Sequence, residues 1–369
     1  MTEIFLIRHT QAEGNVYRMM QGHWDGGVTD LGRQQQKALR ERFEGERIDA
    51  VYSSDLYRAR FTAEAAAWRK GLEIITDQRL REINIGPWEA QFFGNVCHDE
   101  PESSYDFMYH PKEWRHEGAE SYAQVGRRVF SAMRDIAEKN EGSRVAVVSH
   151  GISIRSFLSI VTGVSLNDTE TLPIFSNTSV SRLTYENGVF LPHEMNDVSH
   201  LASLKLPSWT WTGNLRHEYI DPLRESKYYV DCYADAWLAA HGSLRGYEPS
   251  LYLSGACEHY RHDPQAIIKL YDGDEAVGLL DLNTARGRDE GCGWLSLLYL
   301  RADHRGKGYG IQALARAIML YRALGRRELR LHVAEDNLRA LRFYENHGFR
   351  LLKKGSERLL LMGRALDEV

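Results

Sequence analysis

Three short apolar runs in the first half of the chain restrict its possible folds more than any other feature. They span residues 4–7, 50–52 and 145–148, and each is followed by polar residues and a helical stretch. Continuous apolar runs of this kind are typical of strands that are buried on both faces of a parallel sheet. The alternation of such strands with helices predicts an α/β fold, either a doubly wound sheet or a three-layer sandwich.

Two helices between these runs carry sequence signals of their own. Thr29 or Asp30 can cap a helix that continues to Phe43. The segment from Ser121 to Lys139 places apolar residues at helical spacing. Both helices support the alternation of strand and helix.

The second half of the chain has a different pattern, which predicts an α+β domain. Residues 267–271 and 276–282 flank an acidic turn, which predicts a hairpin. The further elements, in chain order, are a strand at 294–301, a helix at 311–324, a strand at 329–333, a helix at 338–346 and a strand that begins at Phe349.

A chain of 369 residues is long enough for two domains. We predict domains at 1–204 and 223–369, joined by a linker or interdomain seam at 205–222. Within that seam, Trp209 to Thr212 alternates aromatic residues with threonine. This alternation favours an edge strand or seam over a membrane anchor.

Charge, hydropathy and cysteine usage exclude several classes of protein. The net charge of -5, without long runs of like charge, does not suit a nucleic-acid binder. No apolar stretch is long enough for a membrane span, and the N-terminal run is too short for a signal peptide. The four cysteines show neither a C-x-x-C pair nor a zinc spacing, so we expect a cytoplasmic protein without a metal.

The ends of the three predicted strands carry the side chains of a first candidate site. Arg8 and His9 end the first strand, Arg58 follows the second, and His150 ends the third, just before Gly151. Ligands bind at such strand ends in open α/β sheets. Two guanidinium groups and a backbone N–H at a helix start suit a phosphate dianion, and glycine lets the backbone come close to it.

Two further residue types complete the chemistry of phosphoryl transfer. The neutral imidazole of His9 is a suitable nucleophile for phosphorus, and neighbouring arginines favour the neutral form. A departing alkoxide needs a proton, for which Glu82 is the best-placed carboxyl group.

The first half resembles the histidine phosphatase superfamily, which includes the cofactor-dependent phosphoglycerate mutases. The motifs, in family order, are Leu6-Ile7-Arg8-His9-Thr10 with Glu13 and Asn15, Thr29-Asp30-Leu31-Gly32, residues 53–62, Leu80-Arg81-Glu82 through Trp88-Glu89, Gly118-Ala119-Glu120-Ser121 and Val148-Ser149-His150-Gly151. The resemblance implies that His9 becomes phosphorylated and that Glu82 is the proton donor. It also implies that Arg8, Arg58 and His150 bind the phosphoryl group, with Asn15 as a further contact.

Two departures from the usual family pattern bear on this prediction. Thr10 replaces the glycine that often follows the histidine. The insertion between Glu89 and Gly118 is short, which favours the phosphatase branch over the mutase branch. Its aromatic residues are expected either to set substrate choice or to pack against the core: Phe92, Phe93, Tyr105, Phe107, Tyr109 and Trp114.

A second candidate site is a glycine-rich turn before the predicted helix at 311–324. Its sequence is Arg305-Gly306-Lys307-Gly308-Tyr309-Gly310. Alternating glycines free backbone N–H groups to hold an anion, and the helix dipole adds to the attraction. The spacing fits neither a P-loop nor a G-x-G-x-x-G dinucleotide loop.

The second half, over roughly residues 215–369, resembles the GCN5-related N-acetyltransferases. The motifs are the glycine-rich turn and Asn337 followed by a helix that ends in Tyr344-Glu345-Asn346-His347-Gly348-Phe349. The resemblance implies acetyl-CoA as cosubstrate, with its pyrophosphate on Arg305–Gly310 and its pantetheine arm near Asn337. Tyr344 would protonate the departing thiolate.

The general base of this second site is not evident from the sequence. The strand that contains residues 294–300 carries no glutamate. Glu258, His259 and Glu290 are possible substitutes, and the sequence does not choose among them.

We therefore expect a bifunctional enzyme. It would hydrolyse a small phosphomonoester through phospho-His9 and transfer acetyl groups from acetyl-CoA to a small amine. Two alternatives remain open: phosphoryl transfer of the phosphoglycerate mutase type, and a phosphatase that is regulated by an acetyl-CoA-binding module.

Overall fold

The computed structural model describes residues 1–168, 170–204, 213–355 and 358–366. Its described residues form two compact units, one of 1–91 and 99–204, the other of 92–98 and the described part of 213–366. The edge strand or seam predicted at Trp209 to Thr212 lies outside the described residues. None of the helices in the described ranges is both long and apolar enough to cross a membrane.

A six-stranded sheet forms the centre of the first unit. Its strands are β1 (Thr2–Arg8), β2 (Ala50–Ser53), β3 (Ile74–Thr76), β4 (Arg144–Ser149), β5 (Val180–Glu186) and β6 (Val189–Asp197). The order across the sheet is β3-β2-β4-β1-β5-β6, in which β1 to β4 are parallel and β5 and β6 are antiparallel. The three apolar runs of the sequence lie in β1, β2 and β4, as predicted.

Helices cover both faces of this sheet. They are α1 (Glu13–Tyr17), α2 (Asp30–Phe43), α3 (Tyr57–Ala67), α5 (Pro101–Tyr109), α6 (Tyr122–Lys139) and α7 (Gly151–Thr162). Phe5 and Ile7 of β1 pack with residues of α2 and α3, whereas the alternate residues Ile4 and Leu6 are buried on the opposite face, where α6 and α7 contact β1. This arrangement confirms the predicted three-layer α/β sandwich.

The caps of α2 and α6 explain where these helices begin. Thr29, rather than Asp30, is the N-cap of α2, because its hydroxyl accepts the N–H of Gly32 at 3.0 Å. Ser121 and Gln124 form a reciprocal capping box at the start of α6. Both helices therefore start at a side chain that satisfies an otherwise unpaired backbone N–H.

A seven-stranded sheet forms the second unit. Its strands are β7 (Leu215–Tyr219), β8 (Ile267–Asp272), β9 (Glu275–Leu282), β10 (Cys292–Leu300), β11 (Glu328–Ala334), β12 (Arg350–Lys354) and β13 (Leu359–Ala365), in the order β12-β13-β11-β10-β9-β8-β7. The parallel pair β10–β11 is joined only from Cys292–Glu328 to Leu295–Leu331, and a bulge follows in β10 between Leu295 and Leu297. Beyond this point the described parts of the two strands are no longer paired.

The helices of the second unit complete the predicted α+β domain. They are α4 (Phe93–Asp99, of which 93–98 belong here), α8 (Ser226–His241), α9 (Pro249–His262), α10 (Tyr309–Ala323) and α11 (Leu338–Asn346). Tyr229 of α8 and Ala256 of α9 pack on Leu279 of β9. The ring of Tyr321 in α10 lies against Gly293 of β10, on the side of the sheet away from α8 and α9.

Candidate functional site

The carboxyl ends of β1, β2 and β4 meet at one edge of the first sheet. The structure brings the predicted residues together there. Arg8 is the last residue of β1, Arg58 lies in the first turn of α3 after β2, and His150 is the N-cap of α7 after β4. The ring centroids of His9 and His150 are 5.1 Å apart.

The ring of His9 is held in one tautomer. Its Nδ1 lies 2.6 Å from the backbone carbonyl oxygen of Thr10, and this oxygen can only accept a hydrogen bond. Nδ1 therefore carries the proton, which leaves the lone pair on Nε2. Thr10 is itself fixed, since its N–H donates to the Thr62 hydroxyl at 2.8 Å and its hydroxyl donates to the carbonyl oxygen of Gly32. A threonine thus fits where glycine is common.

Both histidines of the site are held in the neutral form. His9 is 3% exposed and His150 is fully buried. Burial and the charges of Arg58 and Arg8 lower the pKa of His9 well below its usual value, and burial with the charge of Arg58 does the same for His150. A neutral imidazole is the form that can attack phosphorus.

The depressed pKa values predict how activity and stability change with pH. We expect kcat/KM for phosphate release, corrected for substrate ionisation, to stay level as the pH falls through about 6.5.

The free energy of unfolding should fall below that pH, because the unfolded state takes up protons there and the folded state does not. The slope should be up to about 1.4 kcal/mol per pH unit for each buried histidine. Urea unfolding of His9→Gln should show a smaller slope, and an unchanged slope would contradict the assignment.

Several polar atoms around His9 have no protein partner within the described ranges. They are Nε of Arg8 and both ring nitrogens of His150, all of them buried. The other side of the Arg8 guanidinium is anchored, since Nη1 donates to the carbonyl oxygen of Phe175. A Cβ on Gly151 would lie 3.3 Å from Arg8 Nε, so glycine keeps this position open. Buried donors without partners are costly, and an anion bound here would satisfy them.

Arg58 is fully buried and is fixed by a loop of the first unit. Its guanidinium donates to the carbonyl oxygens of Gly22 at 2.7 Å and Trp24 at 2.9 Å, and it pairs with Asp25 at 3.3 Å. Burial lowers its pKa to about 10. Arg58 therefore stays charged at neutral pH and gives the site a fixed positive charge.

Asn15 is linked to His9 through a residue that the sequence did not suggest. The amide of Asn177 donates to the carbonyl oxygen of His9 at 3.0 Å and to Oδ1 of Asn15 at 3.4 Å. The same oxygen of Asn15 accepts the N–H of Ala12 at 2.9 Å. The predicted contact of Asn15 with a phosphoryl group stays a prediction.

Glu82 lies at the N-terminus of α7, next to His150. Its carboxylate accepts the backbone N–H groups of Ile152 at 3.1 Å and Ser153 at 3.0 Å. Burial lowers the pKa of Arg8 and of Arg58, and the charge of Glu82 opposes this shift in both. The predicted role of Glu82 as proton donor stays a prediction.

Arg128 is a second residue that sequence reasoning missed. From α6 it donates to the backbone carbonyl oxygens of Arg81 at 2.6 Å and Glu82 at 2.8 Å, and it pairs with Glu120 at 2.7 Å. Glu120 is part of a motif noted in the sequence, but nothing in the local pattern connects it to an arginine eight residues later.

The aromatic residues between Glu89 and Gly118 divide into different environments. Trp114 and Phe107 both pack with Trp88 in the first unit, Trp114 as a buried residue and Phe107 as a half-buried one. Tyr105 and Tyr109 are exposed. Phe92 belongs to the second unit, where its ring packs against that of His217 at a tilt of 56°, with centroids 4.5 Å apart. Phe93 begins α4.

The glycine-rich turn of the second unit ends at the N-terminus of α10. Gly306 and Gly308 adopt positive φ angles of 77° and 81°, and Gly308 is the N-cap residue without a side-chain cap. Arg305 is tied to the end of β10 through a 2.7 Å bond to the carbonyl oxygen of Leu300. A helix N-terminus without a side-chain cap suits an anion, since its first N–H groups point outward.

Gly308→Val is expected to weaken acetyl-CoA binding by about tenfold or more. A β-branched residue is strained at this φ, and one lost charge-assisted hydrogen bond costs about 1.5–3 kcal/mol. Isothermal titration calorimetry measures the affinity. Gly325→Val is the matched control, because Gly325 has a φ of 68° just beyond the other end of α10. Equal losses of affinity in both variants would argue against an anion site at the turn.

Asn337 and Tyr344 lie at the start and near the end of α11. Asn337 is the N-cap, and its Oδ1 accepts the N–H of Ala340 at 3.1 Å. Tyr344 is 8% exposed, and burial raises the pKa of its hydroxyl. A tyrosine with a raised pKa keeps its proton at neutral pH, as a proton donor must. The roles predicted for both residues stay predictions.

The predicted glycine-rich turn and α11 lie next to each other. A Cβ on Gly310 would lie 2.8 Å from the ring of Phe343, so α11 packs closely on the first turn of α10. Tyr309 is buried, and its hydroxyl donates to Asp272 at 2.6 Å. Lys307 is partly exposed within the turn.

The three possible bases differ in their surroundings. Glu258 is exposed, and Glu290 pairs with Arg330 at 2.6 Å. His259 is held by Asp281, with Nδ1 2.5 Å from the carboxylate. Across the described residues, no group of three or more His, Cys, Asp or Glu side chains is arranged to hold a metal ion.

Comparison with known proteins matches the two halves of the chain separately. Residues 4–198 match the model of the histidine phosphatase superfamily (branch 1), and residues 225–349 match that of the acetyltransferase (GNAT) family. The probable phosphoglycerate mutase GpmB of Escherichia fergusonii is 32% identical over 206 residues, which are 54% of this chain and 95% of that protein. The probable GpmB of Salmonella choleraesuis shows the same identity and coverage.

A solved structure gives the same result for the fold of the first half. Bacillus stearothermophilus YhfR superposes with a TM-score of 0.53 at 30% sequence identity. The match covers 55% of this chain and 100% of that one.

Proposed function

The chain belongs to the histidine phosphatase superfamily and carries a GNAT-family domain, and we therefore propose that it is a bifunctional enzyme acting on small molecules. Its first unit hydrolyses a phosphomonoester through a phosphohistidine at His9. Its second unit transfers an acetyl group from acetyl-CoA to an amine.

One observation carries the first half of the proposal. The free lone pair of His9 Nε2 lies in a buried cluster with Arg8, Arg58 and His150, and buried N–H groups of that cluster have no partner within the described residues. This combination suits a nucleophile with a bound dianion better than a structural cluster, since a structural cluster would pair its own polar atoms.

The proposed reaction has two steps. In the first, His9 Nε2 attacks phosphorus, the bond from phosphorus to the ester oxygen breaks, and Glu82 gives its proton to the departing alkoxide. In the second, water attacks the phosphohistidine, Glu82 takes back a proton, and phosphate leaves while His9 returns to its neutral form. Arg8, Arg58, His150, Asn15 and the N–H of Gly151 would hold the phosphoryl oxygens in both steps.

A mutase is the second candidate for the first unit. It is favoured by the relatives that are described as probable phosphoglycerate mutases. A mutase returns the phosphoryl group of His9 to an alcohol, whereas a phosphatase passes it to water. The short segment between Glu89 and Gly118 supports the phosphatase.

The test is to incubate the full chain with aryl and alkyl phosphomonoesters, 3-phosphoglycerate among them, in EDTA. We expect released phosphate, and we expect rapid quenching to trap acid-labile phosphate on His9. Transfer between positions of 3-phosphoglycerate without phosphate release would establish the mutase. Neither release nor transfer from any compound would contradict phosphoryl chemistry at this site.

The acetyltransferase half is supported by the uncapped N-terminus of α10 after Gly306 and Gly308, and by the buried hydroxyl of Tyr344. The test is calorimetric binding of acetyl-CoA, followed by thiol release with a panel of primary amines. We expect binding in the micromolar range, as is common for cosubstrates, which corresponds to about 8 kcal/mol. Absence of binding would contradict the proposal.

Regulation of the phosphatase by acetyl-CoA is a further candidate function. It is favoured by the assignment of residues 92–98 to the second unit. They fall inside the range that matches the histidine phosphatase model, yet they belong to the second unit. There, the Asn95 amide donates to the carbonyl oxygen of His217 at 2.9 Å and accepts its N–H at 3.1 Å. Two residues earlier in this strand, the N–H of Leu215 donates to Gln312 of α10 at 2.8 Å.

The residues just before this segment support the loop that fixes Arg58. The Glu89 carboxylate accepts the N–H groups of His23 at 2.8 Å and Trp24 at 2.7 Å. The carbonyl oxygen of Trp24 in turn accepts from Arg58. The chain thus runs from the loop that fixes Arg58 directly into a segment that is hydrogen-bonded within the second unit.

Asn95→Ala is expected to remove any effect of acetyl-CoA on phosphate release and to leave the basal rate within about twofold, because Asn95 touches neither site and surface contacts are worth little in themselves. The measurement is kcat/KM for phosphate release with and without acetyl-CoA. Asn140→Ala, at the end of α6, is the control. Wild-type rates that do not respond to acetyl-CoA would contradict regulation.

A further inference from the structure

One buried carboxylate of the second unit has no part in the reactions described so far. Asp281 lies on β9 and is 2% exposed. One of its oxygens accepts the Tyr229 hydroxyl at 2.6 Å, and the other lies 2.5 Å from Nδ1 of His259. A buried carboxylate is costly unless it is paired, and here both of its oxygens have a partner.

The carboxylate sets the state of both partners. Since it accepts hydrogen bonds, Nδ1 of His259 carries a proton, and the neutral tautomer of this ring has its lone pair on Nε2. Burial and the neighbouring charge of Asp281 raise the pKa of Tyr229, so that its hydroxyl remains a donor. The side chain of His259 is 16% exposed, whereas that of Asp281 is 3% exposed. The histidine therefore lies between the buried acid and solvent.

Asp281 lies on the strand next to β10, close to the point where β10 and β11 stop pairing. Asp281 pairs directly with Leu297 of β10, and Leu297 is the residue at which the bulge ends. The last joined pair of β10 and β11 is Leu295 with Leu331. Asp281 thus lies beside the point where the hydrogen-bonded pairing of β10 with β11 ends.

The two faces of the sheet hold different groups at this point. His259 and Tyr229 reach Asp281 from α9 and α8. On the opposite face lies α10, whose N-terminus is the proposed acetyl-CoA site. His259 thus lies on the face of the sheet opposite the helix that begins at the proposed acetyl-CoA site.

An aromatic cluster extends from Tyr229, whose hydroxyl donates to Asp281. Tyr233 lies 5.9 Å from Tyr229 between ring centroids, and the rings of Tyr252, Tyr247 and Trp237 continue the cluster. Burial and the charge of Asp281 raise the pKa of the Tyr233 hydroxyl as well. Ring faces and a carboxylate both attract an ammonium group, which is the form in which an amine reaches an enzyme at neutral pH.

The other two possible bases lack this support. Glu290 is exposed, and its carboxylate is already paired with Arg330. Glu258, which precedes His259 in α9, is also exposed. Neither has a buried partner that fixes its orientation.

We propose that His259 is the general base of acetyl transfer, that Asp281 positions it, and that the acceptor is a primary amine bound as its ammonium ion beside the aromatic cluster. This inference rests on the proposed acetyltransferase function. Nε2 of His259 removes a proton from the ammonium, and the resulting amine attacks the thioester carbonyl.

The remaining bonds and protons balance as follows. The C–N bond forms, the C–S bond breaks, and Tyr344 protonates the thiolate. The product amide nitrogen loses its extra proton to the tyrosinate, and the imidazolium of His259 returns its proton to water. The net reaction converts an ammonium ion and acetyl-CoA into an amide, CoA and a proton.

The test uses bromoacetyl-CoA on the full wild-type chain and needs no known acceptor. Nε2 of His259 attacks the CH2 carbon next to the thioester carbonyl, a C–N bond forms and bromide leaves. We expect one label per chain, mapped to His259 by mass spectrometry, and protection by acetyl-CoA. Labelling elsewhere, or none, in a chain that binds acetyl-CoA by calorimetry would overturn the inference. A chain that does not bind acetyl-CoA would instead overturn the acetyltransferase function, and this inference with it.

Asp281→Asn tests the positioning role of the carboxylate. We expect labelling of His259 to slow by at least about tenfold, as happens when an aspartate no longer holds a catalytic histidine. Ring 15N NMR shifts of His259 should show a protonated Nδ1 in the wild type and a mixture of tautomers in the variant. Glu258→Gln is the matched control and should change neither reading. An unchanged tautomer in Asp281→Asn would overturn the role of Asp281.

Discussion

Replacement of His9 by alanine is expected to lower kcat/KM for phosphate release by at least about 10⁴-fold. Removing a catalytic nucleophile costs factors of this size or larger. The variant loses the Nε2 lone pair, which no neighbouring group replaces, because His150 is fully buried and has a different ring orientation, 52° away from that of His9. The measurement is phosphate release from the best substrate of the wild type, together with phosphoenzyme trapping.

The control for this variant is an exposed histidine of the same unit. His193 lies on β6 and bonds to the hydroxyl of Thr184, away from the strand ends that carry the site. His193→Ala should retain wild-type phosphate release and phosphoenzyme. Should His9→Ala keep more than about 1% of the activity, His9 would not be the residue that accepts the phosphoryl group.

The elements that carry the first site could be predicted because their signals are local. The runs at β1 and β4 are continuous and apolar, and each is followed within two residues by a charged or titratable residue, Arg8 with His9 or His150. Parallel strands deliver such residues to one edge of the sheet, so the cluster follows from the order of the elements. The N-cap of α2 was likewise visible in the sequence, with Thr29 and Asp30 as the two candidates.

The residues that support the site could not be predicted, because they reach it from distant parts of the chain. Asn177 bonds to the backbone of His9 across 168 positions, and Arg128 bonds to the backbone of Glu82 across 46. No spacing rule connects residues so far apart. Their partners are backbone oxygens, which leave no mark in the sequence.

The second unit shows the same limit in its proposed base and in its boundary. His259 gains its orientation from Asp281, which is on a different element, so the sequence alone gave no reason to prefer it to Glu258. Residues 92–98 belong to this unit although they precede the proposed boundary by more than a hundred positions. A segment that joins a distant sheet edge through Asn95 and His217 carries no local signal of where it will pack.

Glu82→Gln is expected to show which step needs a proton. With alkyl phosphomonoesters, whose departing alkoxide must be protonated, kcat/KM should fall by about 10²- to 10⁴-fold. With p-nitrophenyl phosphate the leaving group departs as an anion, so the loss should be within about tenfold, well below the full value of a proton donor. The measurement is therefore the ratio of the two losses.

The surroundings of Glu82 determine the control for this experiment. Both carboxylate oxygens accept N–H groups, from Ser153 and Ile152, and a glutamine would turn its own N–H group towards one of them. We expect a loss of stability of about 1–3 kcal/mol for that mismatch.

Glu13→Gln is the matched variant, because Glu13 is 4% exposed and accepts the N–H of Gly27 at 3.1 Å. It should lose stability in urea unfolding without any dependence of activity on the leaving group. Equal losses of Glu82→Gln on alkyl and aryl substrates would mean that Glu82 holds the N-terminus of α7 in place beside His150 and donates no proton, and the acid would then have to be sought elsewhere in the cluster.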